Sequence, residues 1–177
     1  AYPEEGWTYD DMLEIAKKLT IPGEQYGVGI AASNADPSNV FMTLSPIVWS
    51  YGADFLNEDQ TECTLNTPEA MEAVRFFTGL YTTEKVTPEG VINYTMTKDI
   101  MPLFIENKVG MMMGGDQNAV EFDTNYPDLK YGFCVPPKSP ASSGGWMFTV
   151  PVTAKNPDAA FDFAKWFLQP EVLGELT

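Results

Sequence analysis

The chain has 177 residues, of which 44% are hydrophobic and 20% charged, a composition typical of a globular domain and unlike that of a disordered or fibrous protein. Ten basic against twenty-five acidic side chains give a net charge of −15, which opposes binding to nucleic acid or to an anionic membrane surface. Because the sequence contains no histidine, imidazole zinc sites, Ser/His triads and Cys/His dyads are excluded.

No apolar stretch reaches the roughly 18 residues that a membrane span requires. Cys63 and Cys134 are the only cysteines, and we predict two buried free thiols in preference to a disulfide. The chain begins at Ala1 without a methionine and stops inside a helix that Pro170 is predicted to start. We therefore expect a fragment of a longer protein.

The first half of the chain predicts three helices and one strand. Thr8 is the expected N-cap of a helix over residues 8–20, and residues 25–30 predict a short strand. The apolar run over residues 39–49 predicts a second helix, interrupted near Pro46. Thr67, followed by proline and an acid, starts the third, with a buried stripe that is expected to comprise Ala70, Val74, Phe77 and Tyr81. Between the second and third predicted helices, the acidic run at 57–62 is either a solvated turn or a calcium loop without the EF-hand glycine.

The second half alternates strands with helices. A helix ending near Asn107 leads to an apolar strand over residues 109–113, and further strands are predicted at 130–137 and 144–151. Asn156 is expected to cap the last full helix. Strands alternating with helices predict an α/β layered domain.

Two of the predicted strands meet glycine pairs, Gly114-Gly115 and Gly144-Gly145, and these points form the candidate site. Ligands settle at strand edges of open α/β sheets, where short loops bring polar groups together. Trp146 offers an apolar face, and Asp116 with the amides after it offers paired hydrogen-bonding groups, a combination that suits a sugar. Alternatively, Trp146 belongs to the core and Asp116 only caps the following turn.

The order of motifs resembles that of the bacterial extracellular solute-binding proteins, family 1, which are the sugar-binding subunits of ABC importers related to maltose-binding protein. The motifs that carry the resemblance are WTYDDMLEIAKKLT, YGVGI, WSYGADFLNEDQ, LNTPEAMEAVRFFTGLY, FIENKVGMMMGGDQN, the GGW strand and KNPDAAFDFAKWFLQPE. None is specific alone, but together they cover nearly the whole chain.

The resemblance implies an α/β fold, a type II periplasmic-binding-protein lobe with a central mixed sheet layered between helices. Residues 1–177 would form a single domain, most of the C-terminal lobe, with the N-terminal lobe and the final helices absent. The ligand contacts that it implies are Asn39, Phe41, Thr43, Asp116, Gln117, Gly145 and Trp146. Many relatives place a tryptophan where this chain has Asp116, and the acid favours a ligand with hydroxyls or a cationic group.

By the same resemblance, the protein is expected to be a non-catalytic component of an ABC transporter, extracytoplasmic, either periplasmic or a cell-surface lipoprotein. It would bind a carbohydrate without a cofactor and deliver it to the permease subunits in the membrane; a lipid anchor or the permease would provide its only membrane association. Two alternatives remain: a polyamine, peptide or other non-sugar solute, or a glycoside hydrolase built on Asp116 and a second acid such as Glu121.

Overall fold

The computed structural model describes residues 3, 6–138 and 147–174, which combine helices and strands in an α/β fold. The chain divides into two compact units, residues 1–142 and 143–177. The helices of the first unit are α1 Tyr9–Leu19, α2 Pro37–Ser50, α3 Pro68–Thr82, α4 Met101–Ile105 and α5 Gln117–Asn125. Its strands are β1 Tyr26–Gly29 and β2 Val109–Met112. The second unit contains α6 Pro157–Phe167 and α7 Pro170–Leu173.

The capping box predicted at the start of α1 is confirmed. The Thr8 hydroxyl accepts from the Asp11 N–H, while the Asp11 carboxylate accepts from the Thr8 N–H at 2.8 Å and from its hydroxyl at 2.7 Å. These bonds satisfy N–H groups that a helix start otherwise leaves without partners. The hydrogen bond from the Thr8 hydroxyl, and to a lesser extent that from the Thr8 N–H, hold the pKa of Asp11 below its usual value.

Asp11→Asn is expected to lower the melting temperature at neutral pH. The difference from the unmodified chain should disappear at acidic pH. A carboxyl whose folded-state pKa is depressed stabilises the protein above its unfolded pKa, about 3.9, and loses that contribution as the pH falls through the folded value. Thermal melts of both proteins from pH 7 to pH 2 measure the difference. Asp10→Asn removes a charge from the same turn without touching the box and serves as control; a difference independent of pH would contradict the linkage.

The two strands are parallel neighbours, with Tyr26 opposite Val109, Val28 opposite Met111 and Gly29 opposite Met112. Apolar side chains from α1, β1, α2 and α3 pack into one core beside this sheet. Its fully buried members include Ala16, Val28, Ile47, Val48 and Leu80. A parallel pair requires a crossover between its strands, which here runs through α2, α3 and α4.

The predicted break of α2 at Pro46 is wrong, because the helix continues to Ser50. Proline removes one backbone hydrogen bond and crowds the preceding turn, which disfavours a helix interior. Here Ser45, Pro46, Ile47 and Val48 are all buried in the core. Burial of this turn outweighs the missing bond.

The start of α3 agrees with the prediction, since Thr67 caps it and Pro68 occupies its first turn. The buried stripe is confirmed at Ala70 and Phe77 but otherwise comprises Ala73 and Leu80, neighbours of the residues expected. Before α3, the Asn57 side-chain oxygen accepts from the N–H groups of Thr61 and Glu62, at 2.8 and 3.1 Å. Within the described residues, no group of three or more acids or cysteines is placed to hold a metal ion.

The predicted strand over residues 130–137 does not form. The segment is held instead at its ends: the Tyr131 hydroxyl donates to Asp123 at 2.8 Å, and the Trp7 indole N–H donates to the Val135 carbonyl at 2.9 Å. The Lys138 N–H donates to the Trp7 carbonyl, also at 2.9 Å. These bonds hold the segment in place of the backbone hydrogen bonds of a sheet, because an alternating pattern does not by itself provide a neighbouring strand.

Both cysteines are free thiols, but the prediction that they are buried is wrong. Cys63 lies beside the turn at 57–62, where it forms an isolated bridge with Leu56, and Cys134 lies in the segment over residues 130–137. Neither position belongs to the core, so both thiols are exposed.

In the second unit, Asn156 caps α6 as predicted, with its side-chain oxygen accepting from the Ala159 N–H at 3.3 Å. Phe148 contacts Phe163 and Phe167 on α6 with ring centroids 6.2 and 5.0 Å apart. Residues 147–151 form no strand, contrary to the prediction, and residues 144–146 lie outside the described residues. Over the described ranges, no helix is both long and apolar enough to span a bilayer.

Candidate functional site

The candidate site lies at the carboxyl edge of the two parallel strands. The Met113 N–H donates to the Gly29 carbonyl, so the chain leaves β1 and β2 side by side. The segment after β1 leads to Asp36, the N-cap of α2, and the segment after β2 leads to Asp116, the N-cap of α5. The chain therefore leads from one sheet edge into the starts of two helices, and α/β folds place their ligands at such an edge.

Asp116 is exposed at this edge, and its carboxylate accepts from the Gln117 N–H at 2.9 Å. Asp116 therefore does cap α5, as the alternative interpretation predicts. One short local bond leaves most of the carboxylate's acceptor capacity open to solvent, because an ionised carboxylate offers about four acceptor positions. Gln117 is also exposed, so two polar side chains face outward in succession.

Asn118, one of the amides after Asp116 that the sequence offered to a ligand, instead shapes the turn that presents Asp116. It is only 7% exposed, and its side-chain oxygen accepts from the Gly115 N–H at 3.0 Å. A Cβ on Gly114 would lie 2.5 Å from that oxygen, so a larger residue there would have to displace the Asn118 side chain. Position 118 follows the glycine pair by about one helical turn. A pattern of polar residues does not reveal that this position is buried.

A cavity of about 490 Å³ opens beside this turn. Its lining includes Gly114 and Asn118, together with Met111 and Met112 of β2 and Met113 after it. The volume lies within the roughly 300–1,000 Å³ range of ligand pockets. Asp116 thus stands next to a concavity.

At the start of α2, Asn39 donates its amide to the Asp36 carboxylate. Hydrogen bonds from Ser38 and then from Asn39 hold the pKa of Asp36 below its usual value. Asn39 remains half-buried, with its side-chain oxygen as the group still available to a ligand. Thr43 is buried at 3% exposure and its hydroxyl donates to the Asn39 carbonyl, so it supports this turn from the core side.

Phe41 belongs to an aromatic cluster with Trp49 and Phe55. Its ring lies 4.9 Å from Phe55 and 6.4 Å from Trp49, and 44% of the residue is exposed. The Trp49 indole N–H donates to Asp54 at 3.0 Å, which holds the pKa of Asp54 below its usual value. Trp49 and Phe55 were not predicted as site residues; the spacing of aromatics in WSYGADF was the available signal.

The structure thus places Asn39, Phe41 and Thr43 on the helix after β1, and Asp116 and Gln117 at the helix after β2. The remaining two predicted contacts, Gly145 and Trp146, lie outside the described residues. The described candidates offer an exposed ring, two amides and the Asp116 acid, which are groups that bind a solute by stacking and hydrogen bonding.

Parallel strands whose carboxyl edge leads into helix starts are typical of ligand-binding α/β folds. Residues 1–173 match the family model of the bacterial extracellular solute-binding protein. The chain belongs to this family.

Similar proteins include a binding protein of Brucella abortus (strain 2308), 31% identical over 81% of this chain and 33% of its own length. A maltotriose-binding protein of Pyrococcus abyssi is 26% identical over 96% of this chain and 36% of its own length. Among solved structures, an ABC transporter solute-binding protein of Thermotoga lettingae TMO bound with α-D-tagatose matches with a TM-score of 0.81 at 22% identity. The match covers 98% of this chain and 45% of that one, which confirms the predicted type II periplasmic-binding lobe. The chain spans about a third of the length of the curated relatives.

Proposed function

We propose that this chain is one lobe, most of the C-terminal one, of the solute-binding component of an ABC transporter, and that it binds a carbohydrate in the cleft between two lobes. The observation that carries the proposal is the shared carboxyl edge of β1 and β2, where two helices begin with polar side chains and an exposed ring. Two findings support a second lobe in the whole protein: the chain belongs to this family, and it spans about a third of the length of its relatives.

In this proposal each residue has a separate role. The exposed face of Phe41 stacks on the apolar face of a sugar ring, backed by Trp49 and Phe55. The Asn39 oxygen, the Asp116 carboxylate and the Gln117 amide bind ring hydroxyls. Thr43 holds the Asn39 turn in place. Gly145 and Trp146 remain predicted contacts.

The carbohydrate class is supported by relatives whose names or structures include maltotriose and α-D-tagatose. A second class has one observation in its favour, because the exposed Asp116 carboxylate in a chain of net charge −15 also suits a cationic solute such as a polyamine. Catalysis has less support, since Glu121 is half-buried on α5 and does not line the cavity beside Gly114.

We further propose an extracytoplasmic location and delivery to the permease subunits of the transporter. Binding proteins of this architecture close around their ligand by a hinge, and closure would present a changed surface to the permease. The acidic charge of the lobe disfavours nucleic acid as a partner. Membrane association would then rest on a lipid anchor or on the permease.

A thermal-shift screen on a chain of the relatives' full length containing this one tests the ligand class. A ligand that binds only the folded state raises its apparent stability, by about 2.7 kcal/mol at a concentration one hundred times the Kd. Maltotriose, tagatose and spermidine form the first panel. A shift with spermidine and none with either sugar would overturn the carbohydrate proposal, and turnover of a chromogenic glycoside would overturn the absence of catalysis.

In that chain, Asp116→Ala is expected to weaken sugar binding at least about tenfold, because hydrogen bonds to charged groups contribute about 1.5–3 kcal/mol. The melting temperature of the unliganded protein should fall only slightly, because among the described residues this capping carboxylate bonds only the N–H of Gln117. Asp59→Ala, an exposed acid of the 57–62 turn, is the matched control.

Affinity equal to that of the unmodified protein would exclude Asp116 from the site. A loss that shrinks strongly with added salt would indicate a cationic ligand instead, since salt screens exposed charges.

A further inference from the structure

A second cavity, of about 830 Å³, lies at the opposite end of β1 from the candidate site. Tyr26 begins β1 and Gln25 precedes it, and both line this cavity. The other side comes from the end of α3 and the segment after it. The lining also includes Thr20, Gly23, Tyr81, Lys85, Thr87 and Glu89.

Thr87 distinguishes this cavity from an ordinary surface groove. It is 2% exposed, and its hydroxyl is buried without a hydrogen-bond partner among the described residues. The neighbouring Val86 carbonyl accepts from the Val28 N–H at 3.0 Å, which fixes this stretch beside β1. An unpaired buried hydroxyl costs the folded state free energy, so such a group needs an explanation. Thr87 is also one of the residues that line the cavity.

The other lining groups are suited to a ligand that is polar but uncharged. The side-chain amide of Gln25 donates from Nε2 to the Leu19 carbonyl at 2.7 Å, so its oxygen Oε1 remains an acceptor. The Thr20 hydroxyl donates to the Ala16 carbonyl at 2.8 Å and likewise keeps its acceptor positions. Lys85 and Glu89 contribute one charge of each sign, so the cavity has no net preference for an ion.

Tyr26 and Tyr81 add two half-buried aromatic side chains to these polar groups. An aromatic face beside several hydroxyl and amide groups matches a sugar, whose ring has an apolar face and a rim of hydroxyls. We propose that this cavity is a second carbohydrate-binding site, separate from the one at the carboxyl edge. It shares no residue with the predicted contacts at Asn39, Phe41 and Asp116, and it therefore stands independently of the proposed function.

Amide NMR spectra of the 177-residue chain titrated with maltotriose test the proposal. The resonances of Gly23, Tyr26 and Thr87 are expected to shift together in a saturable manner. Thr87→Val keeps the side-chain shape and removes the hydroxyl, so it should weaken binding at this end about threefold to tenfold. Because the hydroxyl has no hydrogen-bond partner in the part of the chain that the structure describes, the same variant should melt no lower than the unmodified chain.

Tyr81→Leu provides a second variant that removes a ring from the wall and is expected to weaken the same titration. Asp116→Ala should leave shifts at Gly23, Tyr26 and Thr87 unchanged while reducing those near Gly114, which separates failure of this proposal from failure of the carboxyl-edge site. Glycine, a small zwitterion, is the control ligand. Maltotriose shifts confined to the carboxyl edge, an unaltered titration of Thr87→Val, or shifts at Thr87 with glycine alone would each overturn the proposal.

Discussion

Gly27→Ala is expected to destabilise the chain by about 3 kcal/mol, a large part of the 5–15 kcal/mol that holds a typical domain together. Gly27 lies in β1 where α1 crosses the sheet. A Cβ at this position would meet the Ala16 backbone, at 2.6 Å from its Cα and 2.5 Å from its carbonyl carbon, and closer still to its carbonyl oxygen. Backbone atoms cannot rotate away as a side chain would. The helix and the strand must therefore separate, and the core between them opens.

Urea unfolding followed by circular dichroism measures the loss. Gly79→Ala is the matched control, because its Cβ would meet only the Thr83 hydroxyl, at 3.3 Å, on the same helix. Removing a glycine from a helix interior stabilises it by up to about 1 kcal/mol, so this variant should be neutral or more stable. Gly27→Ala within 1 kcal/mol of the unmodified chain would show that α1 does not pack on β1 as described.

The helix starts could be predicted from sequence because their determinants are local. Thr8 and Asp11 lie three residues apart, and each meets a backbone N–H of the other without help from the rest of the fold. Thr67 and Asn156 accept from N–H groups three residues ahead in the same way. A cap therefore depends on spacing alone, and spacing is visible in the sequence.

Features that depend on distant partners were less accessible. Pro46 indicates a break, yet α2 continues because the core encloses the turn around it. Apolar residues alternate over 130–137 as in a strand. The Val135 carbonyl, however, accepts a hydrogen bond from the indole of Trp7, more than a hundred positions away. Both outcomes follow from tertiary contacts, which override local preference and which no short window of sequence contains.

The candidate site shows the same division. Asp116 could be selected because a polar residue after a glycine pair at a strand end is conspicuous in the sequence. The role of Asn118 could not, since it depends on the turn folding back so that the side chain meets the Gly115 N–H. The aromatic cluster around Phe41 likewise joins a helix to the loop after it.

The proposed function predicts a large difference in affinity between this lobe alone and a two-lobed chain. Ligand pockets bury about 70–90% of a small ligand, and one sheet edge with an exposed ring, two amides and an acid covers much less of it. The missing wall also removes contacts that are already ordered before binding, and such preorganisation reduces the cost of association. A change from micromolar to millimolar affinity corresponds to about 4 kcal/mol, or roughly a thousandfold.

Isothermal titration calorimetry of the 177-residue chain and of the two-lobed chain with the same sugar is the most direct measurement of this account. The ligand is the one that gives the largest shift in the thermal screen, and both titrations use the same buffer and salt. We predict millimolar or weaker binding to the single lobe and binding about a thousandfold tighter when both walls are present. Equal, tight affinity in the two proteins would contradict the claim that the carboxyl edge of this sheet is only one side of the site.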